Sequence, residues 1–321
     1  MQAAARRLRC PEALTDVDRL DRILISQGRS AMKPAPFEYA RPNTLDEALS
    51  LLASDEEVKA IAGGQSLIPL LALRMAAPKL LVDISRLAEL KGVEFGPDYI
   101  KLGALTRWCD ILTNPQLAAQ HPLIVEAIGH TAHYQIRNRG TVGGSCSHAD
   151  PSAEMPAVAM TCEAQFEVAS IRGTRIVPAE EFFVSVLTTA LEPDELVLSI
   201  RLPKWAPGRR YAVQEFARRR GDFAIAGCAL FWDDRDGRCS DPHVGVFGVA
   251  DTPIRVPAVE AVLADRSITN DVINEAAKTI QQAVTPQDDL HGTSAYRSAL
   301  LAVLLERALL SASSRHDKKV A

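Results

Sequence analysis

The sequence predicts an α+β protein: two small α/β lobes, then a smaller unit in which an antiparallel sheet is covered by helices. Three observations predict it. Two glycine pairs, Gly63-Gly64 and Gly143-Gly144, each lie between an apolar β-like run and a small hydroxyl residue. Pro203, Pro207 and Gly208 then break the chain within six residues, as a domain boundary does. Beyond that break, alternating apolar runs give way to three helical stretches.

Order is expected from about Phe37. Thr44-Leu45-Asp46-Glu47 reads as a capping box opening a helix through Leu52, because the threonine oxygen and the glutamate serve N–H groups that the first turn leaves free. Val58–Ile61 is a short strand that delivers the chain to Gly63-Gly64. Ser66 suits a helix N-cap, Pro69 is tolerated in a first turn, and Leu80–Ile84 is the next strand. In the second lobe Tyr99–Leu102 resembles a strand, Thr106 is placed to cap a helix through Leu112, and Pro122–Ile128 and Met155–Met160 read as helices. Strands follow at Ala164–Ala169, Thr174–Val177 and Glu195–Arg201. In the last unit Tyr211–Ala217, Ala224–Trp232 and Val244–Val249 alternate as antiparallel strands. Ala258–Ala264, Asn270–Ala283 and Ala295–Leu310 read as helices, the last with Tyr296, Leu300, Val303 and Leu304 on one face. The expected organisation is therefore an extension over 1–32, lobes over 33–90 and 91–207, and a final domain over 208–321.

Bulk properties exclude several classes. At 321 residues there is material for two or three domains, and 47% hydrophobic with 24% charged residues is ordinary for a soluble protein. A formal charge of −4 gives no electrostatic case for nucleic acid or a membrane surface. No apolar run reaches the roughly 18–20 residues that span a bilayer. The six cysteines show no C-x-x-C spacing, which argues against a cluster or structural zinc held by this chain and for reduced thiols in the cytoplasm. The first residues include Arg6-Arg7 but lack the apolar stretch of a signal peptide, and Met32 stands just ahead of the patterned region. This extension is expected to be disordered and is assigned no function.

The glycine pairs carry the chemistry. A residue without Cβ lets backbone approach an anion closely, and successive N–H groups can converge on it. Two such turns, about 80 residues apart in sequence, could hold both sides of a pyrophosphate; taken singly, each could equally be an ordinary tight turn.

Four motifs occur in order: Ala62-Gly63-Gly64-Gln65-Ser66-Leu67-Ile68-Pro69, Val82-Asp83-Ile84, Ile136–Gly144 (IRNRGTVGG) and Gly221-Asp222-Phe223-Ala224. Together they resemble the FAD-binding medium subunit of the molybdenum hydroxylases, the xanthine dehydrogenase and aerobic carbon monoxide dehydrogenase family, over about residues 33–315. The resemblance implies a two-lobed vanillyl-alcohol-oxidase-like (PCMH-type) FAD-binding domain followed by a small C-terminal domain. It also implies that Ala62, Gly63, Gly64, Gln65, Ser66 and Leu67 form one phosphate loop, and Thr141, Gly143, Gly144 and Ser145 the other. Many relatives have asparagine where Ser145 stands and aspartate where Glu154 stands. Ser145 keeps a donor and an acceptor. Glu154 is either a ribose contact or a solvated carboxylate opening the helix at Met155. His148 is either a strut or a contact to the ribityl chain or flavin, and Asp150-Pro151 reads as turn chemistry. The Arg218–Phe223 turn is either a solvated tip or a closure over the flavin edge, with Phe223 near the ring and Arg219 near its carbonyl side. His130, His243 and His291 have no metal spacing and read as structural or exposed, so no metal site is expected on this chain.

The resemblance implies electron transfer through noncovalent FAD. Electrons come from [2Fe–2S] clusters on a small partner subunit, which draws them from the molybdenum cofactor of a large subunit, in a cytoplasmic dimer of heterotrimers. No triad is needed, because the flavin carries the redox chemistry. Two other readings stay open: a free-standing FAD-dependent oxidase or dehydrogenase with its own substrate pocket, and a nucleotide-binding assembly protein without turnover.

Overall fold

Parallel strands need crossovers, and the first part of the chain supplies them. The structure, a computed structural model, describes residues 33–315, so the expectations for the N-terminal extension lie outside the described residues. Strand β1 (Glu38–Ala40), helix α1 (Leu45–Leu52), β2 (Val58–Ile61), α2 (Leu67–Ala72) and β3 (Leu80–Asp83) form a three-stranded parallel sheet in the order β1-β3-β2. Thr44 accepts the Glu47 N–H as expected, while the Glu47 carboxylate takes the Asn43 N–H. Ala48, Leu49, Leu52, Val58 and Val82 close the core beneath α1, joined there by Leu105 and Leu196 from the next layer.

The second layer is a five-stranded antiparallel sheet in the order β4-β5-β10-β6-β7. Its strands are β4 (Val93–Phe95), β5 (Tyr99–Gly103), β6 (Gln165–Ser170), β7 (Gly173–Pro178) and β10 (Leu196–Pro203). Six helices lie between β5 and β6: α3 (Trp108–Leu112), α4 (Pro115–Gln120), α5 (Pro122–His130), α6 (Tyr134–Arg137), α7 (Val142–His148) and α8 (Glu154–Thr161). After β7 come α9 (Ala179–Phe182) and the small pair β8 (Phe183–Ser185) and β9 (Thr188–Thr189). Phe166 and Phe182 stack at 3.8 Å in the core below. Thr106 does not cap α3 as expected. Its hydroxyl donates to Gly92 O at 2.8 Å, and Arg107 takes the N-cap position, because Thr106 is drawn into the sheet's buried edge.

The third layer is the antiparallel sheet β11 (Arg210–Phe216), β12 (Ala226–Arg235), β13 (Arg238–Phe247) and β14 (Ile254–Arg255), followed by α10 (Pro257–Leu263), α11 (Asn270–Ala283) and α12 (Ser294–Ser314). Both faces of this sheet are covered, which is why β12 reads as a nearly unbroken apolar run. Ala212, Cys228 and Leu230 face α10–α12, while Val213, Ala229 and Phe231 belong to the core of the second layer. The expected stripe on α12 is displaced by about one position. Leu301, Leu304, Leu305, Ala308 and Ala312 are buried, whereas Tyr296 and Val303 are exposed, since α12 packs against α11 as well as against the sheet.

The seam between the second and third layers is closely packed. A Cβ on Gly245 of β13 would stand 2.0 Å from the Thr161 hydroxyl oxygen at the end of α8, so helix and sheet meet backbone to side chain. Glu126 of α5 accepts the Val213 N–H at 2.9 Å and also the Arg315 guanidinium, which lies 4.1 Å over Tyr211. Five described cysteines are free thiols, four of them buried, and no described helix is long and apolar enough to cross a membrane.

Candidate flavin site

The first glycine loop begins where β2 ends. Gly64 adopts φ +74°, a left-handed conformation that L side chains rarely take, so the chain turns there without strain only as glycine. Ser66 occupies the N-cap position of α2, yet its hydroxyl caps nothing. Among the described residues, the N–H groups of Gly64, Gln65 and Ser66 meet no acceptor. A half-exposed loop with a run of free donors and a free hydroxyl is a ready cradle for an anion.

The second glycine pair differs from the expected turn. Gly143 and Gly144 lie inside α7, and Thr141 is its N-cap, accepting the Gly144 N–H at 3.2 Å. The Val142 N–H donates to Thr106 O at 2.9 Å and the Gly143 N–H to Ala104 O at 2.8 Å, while the Ser145 N–H goes to Thr141 O at 3.0 Å. Its amides are therefore engaged within the protein. Gly143 is small because α7 runs against β5's exit: a Cβ there would come within 2.5 Å of the Ala104 Cβ. What this segment offers outward is the exposed backbone edge of Gly144 and the half-buried Ser145 side chain.

The two segments do meet. A Cβ placed on Gly63 would stand 2.1 Å from Arg139 O and 3.1 Å from Gly140 Cα, so the first loop lies directly on the backbone that leads into Thr141. Gly140 in turn packs against the Trp108 indole, and its carbonyl accepts the Trp108 N–H at 3.3 Å. Residues about 80 positions apart thus form one continuous surface of free amides and small side chains.

The remaining expected residues spread around this surface. His148 ends α7 half-buried, and burial lowers its proton affinity below the ordinary histidine value. Asp150 accepts the Ser152 N–H at 2.8 Å, the turn chemistry expected of it. Glu154 opens α8 as expected but is not solvated: it is 8% exposed, and burial first, then the Glu215 carboxylate, push its pKa up to about 7. Arg219 and Phe223 stand exposed on the turn before β12, Phe223 at 65%. That turn is fastened rather than free. Arg218 reaches Leu290 O and the His291 ring, the buried Arg297 donates to Ile225 O at 2.6 Å and to Gly248 O, and Gly221 abuts Ala132 O and His133.

A cavity of about 480 Å³ opens under this turn, lined by Glu126, Gly129, His130, Glu215, Phe216, Ala217 and Arg220. His130 and Glu215 were missed by the sequence reading. His130 Nδ1 lies 3.4 Å from Glu215 Oε1, and that hydrogen bond raises the histidine's proton affinity against the opposing effect of burial. Glu215 Oε2 is buried without a partner among the described residues. A buried oxygen left unpaired beside a cavity of small-molecule size indicates a polar occupant. His243 is instead a structural ring, stacked on Phe231 with its Nδ1 at 3.0 Å from Thr161 O, and no described group of side chains could hold a metal ion.

Comparison with known proteins decides the family. Residues 35–205 match the model of the FAD binding domain in molybdopterin dehydrogenase, and residues 211–312 match that of the CO dehydrogenase flavoprotein C-terminal domain. The chain belongs to the flavoprotein subunits of the molybdopterin dehydrogenases. Among its relatives is the 6-hydroxypseudooxynicotine dehydrogenase complex subunit alpha of Paenarthrobacter nicotinovorans, 38% identical over 88% of this chain and 97% of the relative. The carbon monoxide dehydrogenase medium chain of Hydrogenophaga pseudoflava is 35% identical over 88% of this chain and 99% of its own. Among solved structures, carbon monoxide dehydrogenase from the same organism superimposes with a TM-score of 0.86 at 36% identity, covering 88% of this chain and 99% of that one. Quinoline 2-oxidoreductase from Pseudomonas putida 86 gives 0.84 at 33% identity, with 88% and 98% coverage. The two-part flavoprotein architecture implied by the four motifs is thereby established.

Two outcomes follow from this geometry. Gly63→Ala drives a methyl into the Arg139 carbonyl and parts the two segments, so FAD affinity should fall at least tenfold, about 1.4 kcal/mol, in a fluorescence titration. Unchanged affinity would mean that the contact does not shape the site. The native chain holds the Glu154 proton to about pH 7, whereas the unfolded chain releases it near the ordinary 4.5. The native state therefore binds more protons across that window, and this group's contribution to stability falls as pH rises from about 4.5 to 7, by on the order of 3 kcal/mol. Glu154→Gln should flatten that loss in urea unfolding measured at pH 5 and pH 8; an unaltered pH dependence would remove Glu154 from the account.

Proposed function

We propose that this chain is the FAD-binding electron-transfer subunit of a molybdenum hydroxylase, passing electrons from an iron–sulfur subunit through FAD to an external acceptor. The observation that carries it is the juncture of the first loop's free amides with the Arg139–Ser145 segment, within a chain whose two parts match the two flavoprotein family models in order. The residues fit the cofactor. The amides of Gly64, Gln65 and Ser66 and the Ser66 and Ser145 hydroxyls would hold its diphosphate, each charge-assisted bond contributing roughly 1.5–3 kcal/mol before losses.

When bound, FAD supplies the redox chemistry. The chain binds, orients and encloses it. Ala62 and Leu67 frame the first loop; Thr141 fixes the start of α7 so that Gly143 and Gly144 present a flat backbone edge. His148 at the end of α7 and Glu154 at the start of α8 would serve as contacts to the ribityl chain and ribose. The Arg218–Phe223 turn, held through Arg218 to Leu290 and His291, would close over the flavin edge, with Phe223 near the ring and Arg219 near its carbonyl side, while Arg220 stands on the wall of the cavity. The FAD-binding lobes are taken as 33–90 and 91–207 and the C-terminal domain as beginning at 208, a reading supported by the grouping of strands into three larger sheets. On this reading the chain works in the cytoplasm with a small iron–sulfur subunit and a large molybdopterin subunit, as a dimer of heterotrimers.

Co-expression with the neighbouring reading frames tests this. The chain is expected to purify with a two-cluster iron–sulfur protein and a molybdopterin protein, yellow from FAD. A yellow chain that purifies alone, and whose colour is bleached by a substrate of its own, would identify a free-standing flavin enzyme instead. A finer test compares Arg219→Ala with Arg220→Ala. Both should retain FAD, and Arg220→Ala should change the rate of flavin reoxidation more, because Arg220 is the arginine that lines the cavity. Equal, unchanged rates would take the turn out of the flavin's surroundings.

A further inference from the structure

Side chains two apart on a strand share a face, so Glu215 of β11 lies on the same side as Tyr211 and Val213. Those two pack into the core of the second layer. Glu215 therefore ends an apolar row with a carboxylate, its side chain 7% exposed. Its Oε1 lies 3.4 Å from His130 Nδ1 at the end of α5, whereas its Oε2 is buried with no partner among the described residues. Nearby guanidinium groups are engaged elsewhere: Arg137 with the carbonyls of Gly129, Thr131 and Ala132, and Arg315 with Glu126. A buried acceptor without a donor is costly. Glu215 and His130 both line the cavity of about 480 Å³ beneath the Arg218–Phe223 turn, so a donor has room to arrive from there.

One short helix connects the first glycine loop with this turn. The loop lies on Arg139 and Gly140 through Gly63, and the four-residue α6, about 6 Å long at 1.5 Å per residue, leads back from there to His133. A Cβ on Gly221 of the turn would stand 2.6 Å from Ala132 O and from His133 Nδ1. Loop, helix and turn are thus contiguous. In FAD a chain of single bonds, each about 1.5 Å, separates the flavin ring from the diphosphate and reaches at most about 9 Å. A ring tethered to a diphosphate on the first loop can therefore reach the turn.

Oxidised flavin carries a single ring N–H, at N3, set between the carbonyls at C2 and C4. The cavity wall offers the complement of that edge: an acceptor lacking a donor in Glu215, and donors lacking an acceptor in Arg220, whose exposed guanidinium has no partner among the described residues. We propose that Glu215 is the residue that selects the flavin's pyrimidine edge, its Oε2 accepting the N3–H while Oε1 stays with His130. The inference rests on the flavin reading above. The carboxylate then orients the ring by a hydrogen bond that a ring without the N3 hydrogen cannot make. As a negative group beside the pyrimidine, it also opposes the electrons that the ring accepts, and so holds the potential of the bound flavin down. The adenine amine is the other ring donor of FAD, and the experiment separates the two.

The full-length chain, freed of flavin, is titrated with FAD and with 3-methyl-FAD, in which a methyl replaces the N3 hydrogen. The native chain should bind FAD roughly tenfold or more tightly than 3-methyl-FAD, because the methyl removes the donor and crowds Oε2. Glu215→Ala should bind FAD about tenfold more weakly than the native chain and distinguish the two flavins by less than about threefold. Glu215→Gln keeps an acceptor oxygen without the charge. It should retain most of the preference for FAD, and its bound FAD should show a more positive midpoint potential in spectroelectrochemistry. Equal affinity of the native chain for the two flavins overturns the inference. So does a Glu215→Ala chain that binds FAD weakly yet keeps the native preference, since Glu215 would then face the adenine amine or only support the fold. If Glu215→Ala does not fold, Glu215→Gln decides, and an unchanged potential overturns the inference. A native chain that binds neither flavin removes the flavin reading itself, and this inference with it.

Discussion

The close approach of Gly63 to the Arg139–Gly140 backbone is the constraint on which the site depends. A parallel sheet and an antiparallel sheet have no hydrogen-bonded strands in common here, so the first glycine loop and the start of α7 are brought together by packing. That packing needs a residue with no side chain, because the opposing group is a carbonyl that cannot move aside as a flexible side chain would. The anchoring continues behind it: Trp108 supports Gly140, and Ala104 supports Gly143. The result is a rigid floor of backbone in which only the first loop keeps its donors free. Preorganised amides of this kind bind an anion without paying to reorder themselves.

The third layer completes what the first two begin. Its sheet is buried on both faces, so α5 and α8 of the second layer share a core with β11 to β13. Glu126, His130 and Glu154 therefore sit between the second and third layers, Glu154 buried and the other two partly open to solvent. The turn before β12 crosses the same seam and is tied to the far side by the buried Arg297, which holds Ile225 O, Gly248 O and the Asp289 carboxylate. A loop fastened at both ends suits a cover over a cofactor, whereas a loose hairpin tip would carry no such ties.

Much of this was legible in the sequence, for identifiable reasons. The short α/β crossovers and the alternating final strands are local patterns, and they placed most strands of the first and last sheets close to where they are observed; the antiparallel pairing of the second lobe, read only as α/β, depends on contacts far apart in sequence. The glycine pairs mark the two segments because a missing Cβ permits the close approach of Gly63 to Arg139 O and of Gly143 to Ala104. What local pattern could not carry was the identity of each donor. Gly143-Gly144 reads like Gly63-Gly64, yet its amides are consumed by Thr106, Ala104 and Thr141, partners fixed only by tertiary packing. Glu215 and His130 gave no signal at all, since a glutamate on a strand and a histidine at a helix end look like surface until the two domains close over them. The α12 stripe was displaced for a similar reason: two neighbours rather than one set its buried face.

The central claim is that the free amides of the first loop, rather than those of the second segment, bind the diphosphate. Hydrogen–deuterium exchange of the chain with and without FAD reads this residue by residue. The account expects the amides of Gly64, Gln65 and Ser66 to exchange rapidly in the free chain and to be strongly protected by FAD, while those of Val142 and Gly143 are protected in both states. Tight FAD binding that leaves 64–66 exchanging freely would contradict it.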